Sequence, residues 1–144
     1  MAGTLLDLAD SLAKKRKTLG KGASEAAKRV ALTIVGELAY KTPVDTSQAL
    51  SNWDVTLNEP ARGKHGPYVG GKQGSSYRAS AAETVAAAKR ALELKKPGAV
   101  IYITNNQPYI NRLNSGYSAQ APAGFIEAAI LVGRRSLRNF KFKG

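Results

Sequence analysis

Residues 105–129, NNQPYINRLNSGYSAQAPAGFIEAA, join three kinds of local structure in one short span. Asn105-Asn106-Gln107-Pro108 is turn chemistry, and Tyr109 to Leu113 is long enough for one helical turn. Ser115-Gly116-Tyr117-Ser118 then lengthens the connection. Pro122 opens a final helix to about Arg138, because proline presets the first-turn dihedral and surrenders an N–H that would be unpaired there. Phe125, Ile126, Ala129, Ile130 and Val132 give this helix an apolar face broad enough to touch both a sheet and another helix.

Immediately upstream, Ala99 to Thr104 (AVIYIT) alternates as a strand, with Ile101 and Ile103 on one side and Val100 and Tyr102 on the other. Trp53, Val55 and Leu57 alternate with Asp54 and Thr56 in the same way. Between these strands, Ser80-Ala81-Ala82-Glu83 reads as a capping box opening a helix with Ala81, Val85, Ala88 and Leu92 on its buried face. The pattern predicts an α+β domain: a small, mainly antiparallel sheet covered by helices, with a long basic Gly-rich loop. Two strands alone are marginal, so further short ones are expected, for example at Pro67 to Val69.

The loop is Asn58 to Tyr77, NEPARGKHGPYVGGKQGSSY, read as exposed and flexible. Gly66 followed by Gly71-Lys72 imitates a phosphate-binding loop. Gln73 replaces the magnesium-holding Ser or Thr, Pro67 interrupts the run, and no strand leads into it, so the match is fortuitous. His65, the only histidine, has no second His or Cys near it to share a metal.

Toward the N-terminus, Thr4 to Lys17 reads as an amphipathic helix with Leu5, Leu8, Ala9 and Leu12 on one face. Gly20 and Gly22 mark a break, after which this segment either folds back or reaches a neighbouring subunit. A second helix, about Ser24 to Tyr40, carries Ala27, Val30, Ala31, Ile34 and Leu38 as its stripe and stops at Thr42-Pro43. Asp45 reads as an N-cap behind Pro43 and before Thr46, with Gln48 at the third position. The domain plan is therefore an arm over residues 1–21, one domain over 22–138, and a basic tail over 139–144.

The chain has 144 residues and no cysteine, so it is large enough for a core without disulfides or a Cys-based zinc site. No apolar run approaches the length of a bilayer span, and no membrane partner is expected. The charge is the strongest compositional fact: 22 Lys and Arg against 10 Asp and Glu, a net +12, which attracts polyanions. The candidate contacts to DNA or an acidic partner are Lys14, Lys15, Arg16, Lys17, Arg62, Lys64, Lys72, Arg78, Arg134, Arg135 and Arg138. Those at helix ends equally complement helix dipoles. Trp53, the only tryptophan, is a core or subunit-contact anchor, and Phe140 is an isolated aromatic in the tail. No paired carboxylates, triad or metal spacing appears, so neither catalysis nor a cofactor or metal is expected.

Thr42-Pro43-Val44-Asp45-Thr46-Ser47-Gln48-Ala49-Leu50-Ser51-Asn52-Trp53, taken with residues 105–129, resembles the tail-completion, or head–tail joining, proteins of long-tailed bacteriophages. That family carries "TPVDTG, then L, S and W", later "N, then PYA, then E-G", and a "Q-A-P-G" lead into its last helix. Ser47 stands where the family often has glycine and Asn114 where it often has glutamate. The resemblance covers roughly residues 22–135. It implies a virion protein, assembled in the host cytoplasm, that forms a ring in the neck, hexameric on this reading. Its partners would be the tail tube or terminator, the head connector, stopper or adaptor, and passing double-stranded DNA. Pro43, Asp45, Thr46 and Pro122 would serve as turn and cap residues, and Trp53, Tyr109, Tyr117 and Phe140 as subunit or ring contacts. The competing reading is a stand-alone basic nucleic-acid-binding protein, supported by charge only.

Overall fold

A computed structural model describes residues 5–44, 46–116 and 123–139. Its elements are α1 (Leu5–Lys41), α2 (Gln48–Ser51), β1 (Asp54–Leu57), α3 (Tyr77–Glu93), β2 (Ile101–Thr104), α4 (Ile110–Asn114) and α5 (Phe125–Ser136), closed by a 3-10 turn, Leu137–Asn139. The fold is α+β, as expected. β1 and β2 pair antiparallel in the register Asp54 to Thr104, Val55 to Ile103, Thr56 to Tyr102 and Leu57 to Ile101.

α1 corrects the sequence reading most. The break expected at Gly20 and Gly22 is absent, and the boundary placed between residues 21 and 22 falls inside one unbroken helix. Two interior glycines cost about 1 kcal/mol each against alanine. The flanking Ala, Leu and Lys are strong helix formers, and Lys95 Nζ donates to Ser24 Oγ at 2.9 Å just beyond the glycines, tying this turn to the domain.

From Ser24 onward α1 supplies a wall to each part of the core. Leu38 packs with Ala49, Trp53, Ile110, Phe125 and Ala129; Ala31 and Val35 pack with Val55, Ala88 and Leu92; and Ala39 packs with Val44, Leu50 and Ala81. α5 lies against one side of α1 and α3 against another. The α1–α5 approach is close at Gly133, where a Cβ would sit 2.8 Å from Ile34 Cδ1. Trp53 is only 6% exposed, and its Nε1 donates to Thr42 Oγ1 at 2.8 Å. Of its two expected roles it fills the core one and is not available as a subunit contact.

Three smaller expectations also change. Ser80 does not cap α3, which begins at Tyr77; its hydroxyl bonds Val69 N and Val69 O, each at 3.0 Å. Those bonds, with Tyr68 N donating to Ser51 Oγ at 3.1 Å, use the backbone groups a strand at 67–69 would need, and among the described residues no third strand forms. α5 starts at Phe125 because Gly124 holds φ +82°, left-handed backbone that favours glycine and cannot continue a right-handed helix. Asp45, Tyr117, Pro122 and Phe140 lie outside the described residues.

Replacing Trp53 with alanine should cost about 3–5 kcal/mol, a large part of a typical domain's stability, read as a fall in the urea midpoint by far-UV circular dichroism. Gly133→Ala should gain helix propensity but lose more to crowding against Ile34. A net loss of about 1–2 kcal/mol, or about 3–6 °C in Tm, is expected in a calorimetric scan.

Candidate functional site

The two blocks of sequence that carry the resemblance are far apart in the chain and meet in space. Trp53 of the first shares a cluster with Ile110, Phe125 and Ala129 of the second. Asn105 Nδ2 donates to Ala49 O at 2.8 Å, adding a polar link between them. A cavity of about 640 Å³ opens between the blocks, lined by Tyr40, Thr42, Pro43, Tyr77, Gly124 and Phe125 among others. Pro43 is buried in its wall, whereas Thr46 is exposed.

Midway along the first block, Ser47 takes a backbone conformation that suits glycine better than serine. Ser47 has φ +66°, the left-handed region that glycine enters without steric cost. Its buried hydroxyl lies 2.7 Å from Ser76 Oγ, which holds the turn against the start of α3. Asn114, the other departure, caps α5 from a distance. Its Oδ1 accepts from Ile126 N at 2.9 Å, and its Nδ2 donates to both Glu127 carboxylate oxygens at 3.0 and 2.9 Å. The Asn114 hydrogen bond is the main reason the Glu127 carboxyl sits below its ordinary pKa.

The glycine-rich loop is stitched down rather than free. Asn52, fully buried, acts as a surrogate peptide group for His65: its Oδ1 accepts from His65 N at 2.9 Å and its Nδ2 donates to His65 O at 2.8 Å. Gln48 Nε2 donates to the same carbonyl instead of capping α2. Asn106 Nδ2 holds Ala61 O and Gly63 O at 2.9 and 3.0 Å. The partners of these amides are not legible in the sequence, where an Asn or Gln beside a turn gives no sign of which distant carbonyl it will meet.

His65 sits with Nε2 3.0 Å from Asp54 Oδ1 and Nδ1 2.8 Å from Gly66 O, its ring tilted on Tyr68. Both nitrogens face acceptors, so only the imidazolium can donate to both. Partial burial pulls its pKa down, but the Gly66 hydrogen bond and the hydrogen bond and charge of Asp54 outweigh it and leave the pKa above 6.5. With both nitrogens engaged, the pair clamps the loop to β1. Among the described residues no three His, Asp or Glu side chains gather as a metal site, and no helix is long and apolar enough to cross a membrane.

The candidate cations are all exposed, but they do not form one face. Lys14, Lys15, Arg16 and Lys17 are consecutive on α1, about 100° apart, so they ring the helix. Arg62, Lys64 and Lys72 lie on the loop, Arg78 begins α3, and Arg134, Arg135 and Arg138 occupy the last turns of the chain's final helix. The surface acids Glu25, Glu37 and Glu83 pair with other cations, Lys28, Lys41 and Arg90. Tyr109 is 38% exposed at the start of α4, and burial of its ring raises its phenol pKa. It remains the one aromatic of the expected contact set at the described surface. Comparison with protein-family models, curated proteins and solved structures finds no match to this chain.

Because folding raises the His65 pKa, its contribution to stability is complete below about pH 6.5 and is lost as pH rises through the folded-state value. A proton-NMR titration of this single histidine should give a pKa above 6.5, falling in Asp54→Asn. The urea midpoint of the wild type, but not of Asp54→Asn, should drop correspondingly on moving from mildly acidic to mildly alkaline pH.

Proposed function

We propose that this protein is a neck component of a tailed bacteriophage, a tail-completion subunit that assembles as a ring, joins the tail tube to the head connector and leaves a path for the genome. The observation that carries this reading is Ser47. At the position where the resembled family often has glycine, this backbone adopts φ +66°, a conformation that suits glycine. A motif read only from letters thus coincides with a geometric requirement that the letters do not state. The packing of both motif blocks into one cluster supports the reading further, since a chance resemblance in two separate segments gives no reason for them to meet.

On this reading the buried part of the motifs builds the subunit and the outer cations meet DNA or acidic neighbouring rings. Exposed Lys14–Lys17 and the loop cations suit backbone contacts to duplex DNA, which are electrostatic and independent of sequence. The same cations are the sole support for a stand-alone nucleic-acid-binding role. Salt-sensitive duplex binding belongs to both readings and does not distinguish them.

Disrupting the gene in its source phage or prophage and imaging the lysate by electron microscopy distinguishes them. Filled heads and separate tails, joined again when the protein is resupplied, are expected. Intact virions without it would remove the neck assignment.

A further inference from the structure

α1 changes character at its two interior glycines. Residues 5–19 are all exposed; Gly20 is the first half-buried position and Ser24 the first buried one. From Ser24 onward the domain holds the helix: Lys95 Nζ donates to Ser24 Oγ at 2.9 Å, and Ala26, Ala31 and Val35 are buried beyond it. Before Ser24 the helix rests chiefly on its own backbone bonds and on local propensity. An unpacked helix of that length is marginal in water, where about 12–15 residues is the lower limit even for strong helix formers. Gly20 and Gly22 weaken the join itself.

Charge falls on the same join. At 100° per residue, Lys14, Lys17 and Lys21 lie within about 60° of one another, on the side of α1 opposite Leu5, Leu8, Leu12 and Leu19. All three lysines are exposed, and among the described residues none is paired with an acid. Their spacings are i,i+3 and i,i+4, at which like charges are neighbours and destabilise a helix. Residues 5–23 hold five cations against two acids, and both acids, Asp7 and Asp10, lie near the helix start, away from the glycines.

We propose that this lysine row is a DNA-sensing joint. The phosphates of a duplex neutralise Lys14, Lys17 and Lys21, and that neutralisation locks residues 5–23 into the continuous helix. Without DNA the segment unwinds reversibly as far as Ser24, where the Lys95 bond stops it, and the three core clusters stay closed. The contact is made to phosphate, so it is independent of base sequence and weakens with salt. Loop cations do not act in this way, because Asn52 and Asn106 already fix the backbone that carries them and DNA orders nothing further there. The inference rests on the DNA contact shared by the neck and stand-alone readings, and it adds a conformational response to that contact.

The test is amide hydrogen exchange of the full chain, read by mass spectrometry at low salt with and without a short duplex of arbitrary sequence. Without DNA, residues 9–23 should exchange at least about 100-fold faster than residues 26–41. Duplex at about ten times its Kd should slow residues 9–23 about tenfold and leave residues 26–41 unchanged, and added salt should reverse the effect. In the triple variant Lys14→Gln, Lys17→Gln, Lys21→Gln, the segment should exchange about threefold more slowly than wild type before DNA is added, because the repulsion is gone. It should then no longer respond to duplex. The three positions are exposed, so the thermal melt should match wild type. Arg134→Gln with Arg138→Gln, at about ten times its own Kd, should keep the full response. Equal protection along the whole of α1 without DNA, a duplex that leaves this segment unchanged, or a triple variant that still responds would overturn the proposal. Whether heads and tails join in a phage lysate bears on none of these outcomes.

Discussion

The constraint on which the structure depends is that one helix wall must be shared by three apolar clusters. The two-stranded sheet is too small to organise a core, and no other helix reaches all three groups. Leu38, the Ala31–Val35 turn and Ala39 point in different directions from α1, and α5, α3 and α2 are each placed by the direction they must answer. The close approach at Gly133 follows from this. A Cβ at Gly133 would crowd Ile34, so α5 meets this stretch of α1 where it has no side chain. Trp53 then fills the space between the end of α1 and the start of α5, and its indole N–H finds Thr42 at the helix terminus.

Side-chain amides and hydroxyls do for the loop what strands do elsewhere. The two short strands leave most of residues 58–76 without a ladder, and Asn52, Ser51, Ser80 and Asn106 take up backbone groups one by one. Such bonds are each worth about 1 kcal/mol net, and they order a segment without making it a structural layer. The basic side chains of that segment are therefore displayed from a defined backbone. His65 adds a charged stitch whose strength follows its protonation.

Local pattern made much of this fold legible, and its failures have a common cause. The two strands, α3, α4 and the final helix were visible because hydrophobic period and turn residues report on the chain's immediate neighbourhood. Trp53 reads in the sequence as either a core or a subunit-contact anchor, and only the fold selects the core. Gly20 and Gly22 misled because a glycine's cost is local while the Lys95–Ser24 bond that ties the helix beside it is between residues 71 apart. Ser80 and Gln48 looked like caps, yet their partners are Val69 and His65, chosen by tertiary placement. The basic residues stand out in the sequence as candidate contacts, but their separation into a ring around α1, a loop set and a helix-end set is a property of the folded chain. Asn114 stood out only as a departure from a pattern; its capping of α5 needed the turn between them to be seen.

The shared wall has a consequence for how the newly made chain becomes a protein. α1 is synthesised before α5, and Leu38 gains its full cluster only when Phe125 and Ala129 arrive. That cluster joins Leu38 to Ala129, 91 positions further on, and cannot close until the segment between them has been made, which slows folding and leaves apolar helix surface uncovered during synthesis. α5 thus acts as a latch on α1: the cluster around Leu38 cannot shut until α5 has been made, and whatever shields that face of α1 in the meantime is as much a part of this molecule's economy as its final packing.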